Sequence, residues 1–119
     1  MSTSVIVSGN LTRNPQLSRT GDGTPVVNLT LADNARRPVD GEWVDGPTTW
    51  QVACFGTQAE HVIASLHRGA RAIAVGTFRT RTWTTAEGED RSALEIVADE
   101  IGPSLRWATT EVTRATASG

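Results

Sequence analysis

Residues 79–83 read Arg79-Thr-Arg81-Thr-Trp83. On a strand, alternate side chains share a face, so this spacing aligns two guanidinium groups with one indole. That combination suits a single strand of nucleic acid. The arginines would neutralise phosphates, and the ring would stack on an unpaired base for roughly 1–3 kcal/mol whichever base it is. The competing reading packs Trp83 into the mouth of a core and leaves both arginines simply solvated. Charge distribution bears on the choice. Between His61 and Ala86 lie Arg68, Arg71, Arg79 and Arg81 without an Asp or Glu, a local +4, whereas acids gather in 40–45 and 87–100. This predicts an anion-binding surface on a chain whose net charge of -2 argues against a uniformly basic coat. All eleven basic residues are Arg, a bias that a GC-rich genome also produces.

Other chemistries find few residues. His61 and His67 stand six apart on a predicted helix and do not share the face that a zinc pair needs. Cys54 has no sequence neighbour suited to activate it. It reads as a small core residue or, since the chain offers no second cysteine, as half of an intersubunit disulfide. Gly21-Asp22-Gly23 lacks the strand-to-helix context and the lysine of a phosphate loop and reads as a turn. The carboxylates Glu87, Glu89, Asp90, Glu95, Asp99 and Glu100 read as solvated turn and strand faces. No catalytic group, metal site or cofactor is predicted.

The elements that must position the basic and aromatic residues follow from patterning. At 119 residues the chain fits one domain, large enough to bury about two thirds of the surface its unfolded form exposes. With 38% hydrophobic and 20% charged residues it is too apolar for general disorder. No apolar run approaches the ~20 residues of a membrane span, and the start has no signal-peptide pattern, so a cytoplasmic location is expected. Strands are predicted at 3–11, with a bulge or bend at Gly9, at 26–32, and at 48–56, where Trp50, Val52 and Cys54 face inward and Thr49, Gln51, Ala53 and Phe55 are half-exposed. Between the last two, 33–47 is a long hairpin loop carrying Arg36, Arg37 and Trp43. Trp43 would stack on a base or clamp the loop. Thr57-Gln-Ala-Glu60 reads as a capping box opening a helix through Ala59, Val62, Ile63 and Leu66, with His67 and Arg68 in its last turn and Gly69 as its stop. Strands at 71–85, interrupted at Gly76, and at 91–101 complete the set. Five strands with a helix between the third and fourth is the order of an all-β OB fold, a five-stranded Greek-key barrel, over 1–107, with a flexible segment at 108–119.

Several motifs then fall in a specific order: Val5-Ile-Val-Ser-Gly-Asn-Leu11 with Asn14-Pro15, Val27-Asn-Leu-Thr-Leu-Ala32, Phe55-Gly56 and a helix ending Leu66-His-Arg-Gly69, and Gly76-Thr-Phe-Arg-Thr-Arg-Thr-Trp83. Over residues 3–107 the chain resembles the bacterial-type single-stranded DNA-binding protein family, and Glu100-Ile-Gly-Pro-Ser-Leu-Arg-Trp107 looks like its actinobacterial branch. The resemblance implies sequence-tolerant binding of single-stranded DNA in replication, repair and recombination, as a homo-oligomer, usually a tetramer. It implies stacking by Trp83 and Phe55, with Arg79 and Arg81 beside the strand path.

Three departures modify it. The family's tryptophan in strand three usually precedes the phenylalanine by six residues. Trp50 precedes Phe55 by five, which reverses its face and assigns it to the core or a subunit interface. An aromatic often found at the base of the long loop is replaced by Arg36-Arg37, which could contact phosphate or stack a guanidinium on a base. The acidic C-terminal tip that recruits replication partners is missing from TEVTRATASG, so tail-mediated partners are not expected. The alternative is an OB-fold protein-interaction module of a replication or segregation complex with weak DNA binding. Trp107 is expected to pack on a neighbouring subunit or the barrel end.

Overall fold

A computed structural model describes residues 4–33, 37–39, 42–44 and 48–115, the two short middle segments by their backbone. Its elements are β1 (Ser4–Leu11), β2 (Leu17–Arg19), β3 (Pro25–Asp33), β4 (Arg37–Val39), β5 (Glu42–Val44), β6 (Thr48–Phe55), α1 (Thr57–Ser65), β7 (Arg71–Thr84) and β8 (Asp90–Pro103). The main sheet runs β1-β7-β8-β6-β3-β2, and β1 also meets β3 at Asn10–Ala32 and Leu11–Leu31. Five strands therefore close into a ring, with β6 and β8 parallel and the other neighbours antiparallel. This is the predicted five-stranded barrel. The short β2 extends the sheet beside β3, and β4 with β5 forms a separate hairpin inside the long loop.

The barrel closes because alternation sends one row of each strand inward. Val7, Leu11, Val27, Leu29, Leu31, Val52, Cys54, Ala72, Ala74 and Ile96 form one buried cluster, capped by Ala59, Val62 and Leu66 from the helical segment. Trp50 packs against this cluster, in line with its predicted face. Ala53 departs from its expected half-exposure: it is buried, because β6 is flanked on both sides, by β3 at Asn28 and by β8 at Val97. Gln58 fastens the helix to β8, donating to the Ala98 carbonyl and accepting from the Ile101 amide at 3.1 Å.

Glycine permits the tightest approaches. Gly9 pairs regularly with Ala72 in place of the expected bulge, and a Cβ there would meet the Ala32 carbonyl at 2.8 Å. At Gly76 β7 continues unbroken. The irregularity lies opposite, where Val75 pairs Glu100 and Gly76 pairs Ala98, leaving Asp99 as the extra residue of a bulge on β8.

The helix ends differ from expectation at both sides. Gly56, at φ 73, is the N-cap and no side chain caps the first turn, so Thr57 is the first helical residue and the capping box does not form. The helix stops at Ser65 because Leu66 turns extended to bury its side chain. His67, Arg68 and Gly69 form the following turn, held by the Arg68 amide on Asn14 Oδ1 at 2.8 Å and the Gly69 amide on the Leu11 carbonyl. Among the described residues no helix is long and apolar enough to cross a membrane. Beyond Pro103 the described chain has neither helix nor strand.

Candidate nucleic-acid interface

The outward face is built from the residues that alternate with the core. On β7 these are Thr77, Arg79, Arg81 and Trp83, opposite Val97, Glu95, Ala93 and Arg91 of β8. On β6 they are Thr49, Gln51 and Phe55, and on β3 Asn28 and Thr30, with Gln51 paired to Thr30. From Arg79 onward β7 and β8 project beyond the barrel as a hairpin arm, because the inward row there, Thr80 and Leu94, is itself exposed. The arm's turn is fixed by Gly88 at φ 83 and by the Glu89 amide on the Thr85 hydroxyl at 3.2 Å.

The structure brings together four of the predicted site residues. Trp83 is 43% exposed on the arm, which rejects its packing into a core. The Arg81 guanidinium lies 5.1 Å from its ring centroid, a cation–π contact that presets both groups. Phe55, half-buried at the end of β6, carries the Arg79 guanidinium 5.4 Å above its ring. Arg36 lies outside the described residues. Arg37 and Trp43 stand on β4 and β5, where Arg37 pairs with Val44 and Pro38 with Trp43.

Sequence reasoning missed the partner of Arg79. Glu95, expected to be solvated, is buried, because the strand register sets it directly across from Arg79. Arg79 donates to its Oε1 from Nε at 3.0 Å and also from Nη2. A cation counted as free in the local +4 is thus neutralised in space. Arg71, hydrogen-bonded to the Ser8 hydroxyl and 4.9 Å from the Trp107 ring, stands eight residues down β7, about 26 Å from Arg79. The four arginines do not form one patch. Trp107 sits by the barrel end between Arg71 and Arg106 and remains 70% exposed. Arg13 was also missed. It lines a groove of about 270 Å³ with Asn28, Gln51, Arg81 and Glu95, and no strand periodicity flags it because it lies in the loop after β1.

Cys54 is fully buried, and burial pushes its thiol up to about 11. It is a core residue and presents no sulfur to a second chain. Among the described residues no cluster of metal-ligating side chains occurs.

The model of the single-strand binding protein family matches residues 2–104. Relatives named single-stranded DNA-binding protein include that of Mycobacterium leprae, 43% identical over 98% of this chain and 71% of its own length. That of Mycolicibacterium smegmatis is 42% identical over 98% of this chain and 73% of its own length. A Tropheryma whipplei protein, named single-stranded DNA-binding protein 1, is 42% identical over the whole of this chain and 66% of its own length. With a barrel of the predicted order, an aromatic and arginine-bearing outward face, and a family match over most of its length, the chain belongs to the single-strand binding protein family.

Proposed function

We propose that the chain binds single-stranded DNA without strong sequence preference and shields it during replication, repair and recombination, as a binding protein and not an enzyme. The observation that carries this reading is the Arg81–Trp83 pair, a guanidinium 5.1 Å from the centroid of an exposed ring on a projecting arm. An unpaired base stacks on Trp83 while Arg81 meets the adjoining phosphate, releasing counterions. Phe55 and Arg79 act as one composite platform, because the guanidinium plane over the ring offers a flat surface for the next base. Arg36, Arg37 and Trp43 extend the contact from the long loop, and Arg13 extends it across β3. Duplex DNA binds poorly because its bases already stack on one another.

The binding unit spans 1–107 and 108–119 trails it as a flexible segment, in keeping with a last strand that ends at Pro103. The protein works in the cytoplasm, at the nucleoid, as a homo-oligomer, most simply a tetramer. Supporting association, Ile6 and Ile73 are 71% and 41% exposed on the outer face of the neighbouring strands β1 and β7.

Titration with oligothymidine, followed by tryptophan fluorescence at two salt concentrations with a duplex of equal length as control, tests the reading. Quenching by the single strand alone, weaker at high salt, is expected. Trp83→Ala should cost about 1–3 kcal/mol of that binding. No response at low salt would reject DNA binding and favour the protein-interaction module.

A further inference from the structure

Glu95 is the only buried charged side chain among the described residues, and it stands on the outward face, not in the core. Both hydrogen bonds from Arg79 fall on one oxygen, Oε1, so Oε2 has no hydrogen-bond partner among the described residues. A buried carboxylate oxygen left unpaired is costly and calls for a donor. Glu95 lines the groove shared with Gln51, Asn28, Arg13 and Arg81. Thr30 donates its hydroxyl hydrogen to Gln51 Oε1 at 3.1 Å, which commits the amide oxygen and leaves the amide N–H groups for the groove. The groove therefore offers an ionised acceptor and a neutral donor, flanked by two cations.

That pattern complements one edge of a base and clashes with another. Cytosine and adenine present an amino donor beside a ring-nitrogen acceptor, so the amino group meets Glu95 Oε2 and the ring nitrogen meets the Gln51 amide. A carboxylate accepting from cytosine N4 is an established pairing in base recognition. Thymine has only its N3–H to give Oε2, and because a carbonyl oxygen flanks that N–H on each side, the approach sets a carbonyl against the carboxylate and weakens the contact. We propose that Glu95 is a base-reading residue, giving one subsite of the bound strand a preference for amino-bearing bases over thymine within otherwise sequence-tolerant binding. This rests on the DNA-binding reading above.

The test compares oligocytidine with oligothymidine, deoxy strands of equal length and both pyrimidine, by fluorescence titration of the full chain and of Glu95→Gln. Releasing Arg79 affects both strands alike and cancels in the ratio of their affinities. The expected result is a fall in the cytosine-to-thymine ratio by about tenfold, the lower end of what one hydrogen bond to a charged group is worth. A ratio within about twofold of the unsubstituted chain's overturns the proposal. Should Glu95→Gln fail to fold, judged by its thermal melt, the unsubstituted chain is titrated with N4,N4-dimethylcytosine strands, which lack the amino donor. Binding weakened by a like factor supports the proposal, and unchanged binding overturns it. If neither cytosine nor thymine strands bind at low salt, the DNA-binding reading itself fails, a result distinct from a ratio that stays put.

Discussion

Two arginines at equivalent positions on one strand face have different electrostatic fates. Arg81 lies against Trp83 with no ion pair among the described residues, while Arg79 is matched by Glu95. Counterion release depends on free cations, so under the proposed function the two should make different contributions to the salt dependence of binding. Arg81→Gln should reduce the slope of log affinity against log salt by about 0.7, the value of one phosphate contact on a single strand. Arg79→Gln should change it far less, and equal changes in salt titrations would show that DNA displaces Glu95. Cys54 supplies a second residue-level test. The chain has no Lys and no Tyr, so no amine or phenol side chain overlaps the titration of Cys54. Its native thiol is raised from 9.0 to about 11. The unfolded chain therefore releases this proton first, and native stability, fully present below pH 9, declines as pH rises toward 11 by roughly 2–3 kcal/mol. Denaturant melts across that interval should show this decline, and Cys54→Ala should flatten it while lowering stability at neutral pH through its cavity.

At the scale of elements, the ring strands were legible because each buries one alternating row. Val27, Leu29 and Leu31 announce β3, and all three are buried. The ends of the helix were not legible: a Thr-x-x-Glu spacing fits a capping box, but the tight exit from β6 places Gly56 at the cap. Strand β2 was invisible at three residues, being exposed throughout and fixed by its register with β3. The Trp83 and Arg81 placement could be read from period two, whereas the Glu95 contact depends on which residue of β8 faces Arg79, a non-local register. That register depends on Gly76, where a Cβ would stand 2.0 Å from the Val97 carbonyl oxygen. Gly76→Ala must push β7 and β8 apart at the bulge. It should cost about 1–3 kcal/mol or more and, by shifting Arg79 against Glu95, weaken DNA binding as well. Gly102→Ala, with open space around its Cβ, is the matched control, and equal urea midpoints for the two variants would refute the close-approach argument.

For the whole molecule, barrel closure leaves one strand edge incompletely used. Strand β1 pairs with β7 from Ser4 to Asn10 but reaches β3 only at Asn10 and Leu11, so most of its other edge lacks a strand neighbour among the described residues. Such an edge is a template for pairing unless something covers it. Beside it, Ile6 stands across from Val75, and Ile73 across from Ser8, on the outer face. An apolar face next to an open edge fits an isologous contact, where the same patch serves both copies. The proposed DNA-binding arm carries its residues on the projecting part of β7 and β8, so association through β1 leaves Trp83 free. Ile6→Glu separates the two properties. At 71% exposure the glutamate is solvated in an isolated chain, so the thermal transition of the barrel should change little, while two such carboxylates meeting across a symmetric contact should repel. Sedimentation equilibrium should show the mass falling to that of a smaller species, with each chain still quenched by short oligothymidine. An unchanged mass would exclude this face as the subunit contact and redirect attention to Trp107 and the exposed Leu105 at the barrel end.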